Sequence, residues 1–134
     1  LMAPAGPSYG TTDDTTDGGT GNNYAPADIA GAWDMNVTSG PYVGTYIATF
    51  GGGSFTIVRA ADSNPAGEGT YTYTTPHNGN TDLAHLVLNY TGEFAGDKDD
   101  YVLTFSNQNA ATFSGTVSSG GQGGEAAGGT LTRR

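Results

Sequence analysis

From Asp28 onward the chain alternates apolar and polar residues in short runs. In GTYTYTT (69–75), tyrosine falls on one face of an extended segment and threonine on the other, because successive side chains of a strand point to opposite sides. Eight such runs can be delimited: 29–38, 42–50, 54–60, 69–75, 83–90, 100–106, 111–118 and 128–133. Between them stand SGP, GGG, DSNPAGE, PHNGN, TGEFAGDK, NQNA and GGQGGEAA, the Gly, Pro, Asn and Asp clusters that punctuate hairpins. No segment carries an i, i+3, i+4, i+7 apolar stripe of helical length. The pattern predicts an all-β fold, an eight-stranded antiparallel up-and-down barrel, since eight strands enclose an interior that side chains can just fill. A β-sandwich is the alternative.

Strand parity then divides inside from outside. Trp33, Met35, Val37, Val43, Ile47, Phe55, Ile57, Tyr71, Tyr73, Leu86, Leu88, Tyr90, Leu103, Phe105, Phe113, Val117 and Leu131 are expected inward. Thr70, Thr72, Thr74, Thr104, Thr112, Ser114, Thr116, Thr130 and Thr132 are expected outward. Run 42–50 breaks the rule: Tyr42, Tyr46 and Phe50 are apolar on one face, Val43 and Ile47 on the other.

Residues 1–27 lack this alternation. They hold three prolines, many Gly, Thr and Asp residues and few aliphatic side chains, too little apolar surface to order themselves. They are read as an extended arm preceding a barrel domain at 28–134, and 134 residues leave room for one core. Cysteine is absent, so stability must come from packing and hydrogen bonds. Four basic against 13 acidic residues give a net charge of −9, the wrong sign for a phosphate backbone, and nucleic acid is not an expected partner. Charged residues make up 13% of the chain against about 25% in ordinary domains, which predicts a surface of neutral hydroxyls and amides. No apolar run approaches the roughly 18 residues of a membrane-spanning helix. The Leu1 start and the Gly/Thr-rich, lysine-poor composition lead to the expectation of an extracellular or cell-surface protein.

IAGAWDMNV places Gly31 and Trp33 at the start of the first of eight apparent strands. This resembles the G-x-W that opens the first strand of lipocalins and the wider calycin group, avidins included. The resemblance implies that Trp33 closes one barrel end beneath an arginine from near the last strand, Arg133 or Arg134. Avidin-like biotin sites use several tryptophans and Trp33 is the only one here, so biotin is not implied.

Three groups of residues invite a reading as chemistry. In HNGNTDLAH, His77, Asp82 and His85 have a spacing that would suit a two-histidine, one-carboxylate metal site, but no recognised ligand pattern is met and a polar hairpin turn is preferred. Asp13, Asp14 and Asp17, followed by GGTGNN, offer oxygen ligands of the kind calcium takes, without the calcium-loop motif; a solvated acidic linker is the preferred reading and GDKDD (96–100) is treated alike. Neither histidine stands in a nucleophile motif and no catalytic constellation is complete, so no enzymatic activity is expected. Asn36 and Asn89 are formal glycosylation sequons.

The functional expectation comes from the surface. A threonine face without charge is one that a second sheet can accept as readily as water does, and the single lysine lies in a turn rather than guarding a strand. With an arm that cannot fold alone, this favours a self-assembling structural protein whose partners are other copies of itself. The arm would lie along a neighbour as an added strand, with Tyr9, Tyr24 and Pro26 setting register, and would build filaments or sheets. The alternative is a calycin-like binder of a small apolar ligand in the barrel mouth among Trp33, Tyr71, Tyr73, Tyr90 and Phe105. A further alternative is a carbohydrate-binding module presenting Tyr42, Tyr46 and Phe50 to solvent.

Overall fold

A computed structural model describes residues 20–120 and 123–134. Eight strands follow one another around a closed antiparallel barrel: β1 (Gly31–Ser39), β2 (Gly44–Gly51), β3 (Ser54–Arg59), β4 (Pro65–Thr74), β5 (Leu83–Tyr90), β6 (Lys98–Asn107), β7 (Ala110–Ser118) and β8 (Glu125–Arg133). Each pairs with its chain neighbours, and β1 closes the ring on β8, with Trp33 opposite Arg133 and Met35 opposite Leu131. Among the described residues the only helix is a single 3₁₀ turn at Gly92–Phe94, and no helix is long and apolar enough to cross a membrane.

All eight predicted runs are strands, with shifted ends. β4 starts at Pro65 rather than Gly69 because proline is harmless as the first residue of a strand and a bulge between Ile57 and Val58 brings Pro65 opposite Val58. Glycines within the strands serve curvature. At Gly69, Gly115 and Gly129 an added Cβ would run into the carbonyl oxygen of Asn89, Asp100 and Asn36, each on the adjoining strand. Only glycine permits so close an approach, and such points let the sheet coil into a small cylinder.

The interior matches the alternation on every strand but β2. Trp33, Met35, Val37, Phe55, Ile57, Leu86, Leu88, Leu103, Phe105, Phe113, Val117 and Leu131 are buried as expected. On β2 the assignment of Val43 and Ile47 to the core is corrected: Ala48 and Phe50 are buried, Tyr46 packs against them, Ile47 is half-buried on the outside and Val43 is 62% exposed. Register decides it, since Ala48 stands opposite Trp33 and Ile57, and Phe50 opposite Phe55. The threonines at 70, 72, 74, 104, 112, 116, 130 and 132 face outward and are exposed, with Thr104, Thr112 and Thr130 forming a cross-strand row.

Candidate functional site: one capped end and one open mouth

The two barrel ends are built differently. At the first end, residues 20–30 run back across the molecule to which they belong. Thr20 pairs with Asn80, the Asn22 and Tyr24 amides donate to Asp82 Oδ1 at 2.8 and 3.0 Å, and the Ala25 amide donates to the Thr81 carbonyl. Tyr73 Oη donates to the Pro26 carbonyl at 2.7 Å. Ile29 is buried beneath this crossing and its carbonyl accepts the Trp33 indole N–H at 2.8 Å. Residues 20–27, read in the sequence as part of the arm with Tyr24 and Pro26, thus make hydrogen bonds to their own barrel. Tyr9, Asp13, Asp14 and Asp17 lie outside the described residues. The closed ring also leaves no free strand edge for an added strand to pair with.

Trp33 is fully buried and Arg133 lies over it, the guanidinium carbon 4.3 Å from the ring centroid. Arg133 Nη1 donates to the Ala30 carbonyl at 2.9 Å and Nε to Asn109 Oδ1. Gly31 has a φ of +119°, and a Cβ there would press on Arg133 Nη1, so its place between cap and tryptophan requires glycine. Arg134 instead pairs with Asp34 on the outer surface.

The opposite end is open. A cavity of about 290 Å³ enters the barrel between the loops that join β1 to β2, β3 to β4 and β5 to β6. Its wall is largely apolar and aromatic, with Met35, Val37, Ile57, Phe94 and Val117 beside Tyr46, Tyr90 and Tyr101. Tyr46 Oη donates to the Tyr42 carbonyl, tying its ring to the first loop. Gly67 clears the space for Tyr90, whose ring a side chain at 67 would strike.

One buried carboxylate faces this wall, with Asp97 nearer the rim. Asp99 is 7% exposed, and Tyr90 Oη donates to its Oδ2 at 2.7 Å. Loss of water raises the Asp99 carboxyl to about 6, further helped by nearby Asp97 and opposed by hydrogen bonds from Tyr90 and Tyr101. Both tyrosines are in turn pushed well above the ordinary phenol range, chiefly by burial and then by the Asp99 charge, so they remain donors. Arg59 stands at the rim, but its guanidinium is held by Asp62 at 2.6 Å in the adjoining loop. The arrangement can hold a small apolar body and present to it a single buried anion.

The sequence-predicted pocket is divided between the two ends. Tyr90 lines the cavity; Trp33, Tyr71, Tyr73 and Phe105 belong to the capped half, where Trp33 meets Phe105 edge-on at 6.2 Å and Tyr71 packs on Phe50 at 5.1 Å. Asp99, Tyr101, Tyr46 and Arg59 were not anticipated there. The solvent-facing platform of Tyr42, Tyr46 and Phe50 is corrected, because Phe50 is a core residue and Tyr46 turns into the mouth.

The histidine motif takes another form as well. The His77 and His85 rings lie 5.2 Å apart, but His85 Nε2 is 2.7 Å from Asp100, while Asp82 is occupied by the 20–27 segment. No group of three or more His, Asp or Glu side chains among the described residues is arranged to hold a metal ion. Asn36 and Asn89 are both exposed on outer faces. Comparison with known proteins finds no family model, no curated protein and no solved structure that matches the chain.

Proposed function

We propose that this protein is a non-enzymatic binder of one small, largely apolar molecule, held in the open mouth of the barrel and carried by a secreted or cell-surface chain. The observation that carries the reading is the cavity of about 290 Å³ in the barrel mouth. It is close to the roughly 300 Å³ at which small-molecule pockets begin, and it combines a largely apolar and aromatic wall with a small set of charged and hydroxyl groups, a make-up usual in such sites. The opposite end is capped by the 20–30 segment and by Arg133 over Trp33, which gives the mouth a firm base.

Uptake of the neutral fluorophore N-phenyl-1-naphthylamine tests this reading. The native protein is expected to enhance its emission with saturable, one-to-one binding, and Ala66→Trp, which fills the mouth, should abolish the enhancement while leaving the barrel folded. No saturable uptake by the native protein, or full uptake by the filled variant, would remove the proposal.

A second reading, self-assembly, is favoured by the exposed threonines of β4, β7 and β8 and by the cross-strand row of Thr104, Thr112 and Thr130. It now rests on face-to-face packing rather than strand addition. Sedimentation velocity at high concentration decides it: a monomer throughout would end this reading.

A further inference from the structure

We propose that the mouth selects an organic ammonium compound, an apolar or aromatic body carrying one protonated amine, with the amine seated against Asp99. This rests on the ligand-binding reading above and specifies its chemistry.

The argument begins with the placement of the carboxylate. An acidic side chain on an inward position of β6 gives up most of its hydration, a cost that a purely structural role would avoid with a neutral residue. Two phenols compensate only in part. Tyr90 donates to one carboxylate oxygen and Tyr101 lies beside Asp99 on the same strand, but among the described residues no cation closes on Asp99. The one guanidinium that lines the mouth, Arg59, is committed to Asp62. Lys98 adjoins Asp99 in sequence but is exposed on the other face of β6, and Val117 is the partner across β7.

A ligand ammonium supplies the missing charge. Its apolar portion would lie among Tyr46, Tyr90 and Tyr101, whose ring faces attract cations, and Asp97 adds a second negative charge at the rim. The net charge of −9 draws cations toward the molecule and repels anions. A carboxylate-bearing ligand would meet Asp97 and Asp99 together and is disfavoured.

Proton competition follows from the same geometry. The groups facing Asp99 are Tyr90 from β5, Tyr101 from β6, Asp97 from the preceding loop, and Tyr46 and Arg59 across the mouth. Burial keeps Tyr90 and Tyr101 neutral and Asp62 keeps Arg59 charged across the acidic range, so the change there belongs to Asp99. With the Asp99 carboxyl raised to about 6, protonation at pH 5 weakens an ammonium ligand by about tenfold relative to pH 7.5.

Isothermal titration with phenethylamine, phenethyl alcohol and phenylacetate at pH 7.5 tests the proposal on the native chain. The amine is expected to bind at least about tenfold more tightly than the alcohol, as a charge-assisted contact requires, with phenylacetate weakest. Its affinity should fall about tenfold at pH 5 while that of the alcohol holds. Asp99→Asn should erase the preference for the amine over the alcohol and its dependence on pH. If that variant does not fold, the ligand series and its pH dependence on the native protein decide alone. Equal binding of alcohol and amine overturns the ammonium proposal and leaves the pocket intact. Failure of all three ligands together with the naphthylamine overturns both.

Discussion

The capped end and the open mouth of this barrel use the same residue types for opposite purposes. At the cap an aromatic ring, an arginine and a crossing segment satisfy one another: Trp33 is buried, its N–H is accepted by Ile29, and Arg133 lies on its face. At the mouth an arginine and an aspartate are both present, yet Arg59 turns to Asp62 and Asp99 keeps only phenolic donors. Completed polar contacts at one end and an incomplete set at the other is the arrangement expected when one region maintains the fold and another is left for a partner, since binding sites commonly retain groups that are costly to bury.

The strongest way to break this comparison is at the cap. Trp33→Ala is expected to cost about 3–5 kcal/mol in urea denaturation, as large-to-small changes at fully buried aromatics do. Ala66→Trp at the mouth should cost under about 1 kcal/mol, because it fills open space rather than overpacking a core. Comparable losses at the two ends would dissolve the distinction.

The next effect has the opposite sign. The Asp99 carboxyl is raised to about 6 in the fold, above its ordinary 3.8, so between these values the folded protein holds more proton than the unfolded chain. Stability contributed by Asp99 is greatest below pH 4 and declines as pH rises through about 6. Asp99→Asn is therefore expected to stabilise the barrel by about 1–2 kcal/mol at pH 7.5 and to lose that advantage by pH 4. Denaturation midpoints across this range check it, and destabilisation at pH 7.5 would show that Asp99 supports the fold.

A smaller change sharpens the account of the cap. Arg133→Met removes the charge above Trp33 and the hydrogen bond to Ala30, and about 1–2 kcal/mol should be lost. Smallest of all, Asp82→Ala should cost about 1 kcal/mol or less, because the amides of Asn22 and Tyr24 that it accepts can turn to water. Hydrogen exchange is the sensitive measurement there: those amides should lose protection while the strands keep theirs.

How much of this was legible in the sequence differs between the ends. The strands were readable because alternation and turn chemistry agree, and Trp33, Gly31 and Arg133 stood out by type and by position. On β2 the alternation was ambiguous, and only the pairing with β1 and β3 assigns Ala48 and Phe50 inward. The mouth was hidden by a related ambiguity. Asp99 stands in GDKDD, which looks like a solvated turn, yet counting back by twos from Phe105, Leu103 and Tyr101 puts it on the inward side of the same strand. That parity was the available signal. Whether the interior near it would be filled or left as space depends on the loops around the mouth and on glycines such as Gly67, which no local pattern reveals.

The seam between β1 and β8 imposes an order on folding. Ala30 and Arg133 are separated by 103 positions in the chain, as Asp34 and Arg134 are by 100, so neither contact can form until the last strand has been made. Until then β1 exposes an unpaired edge and Trp33 has no arginine above it. Long-range closure of this kind is slow relative to hairpin formation. Protection of the Trp33 indole should therefore be among the final events of refolding, and a nascent chain ending before Thr130 would present the open sheet edge that the finished ring conceals.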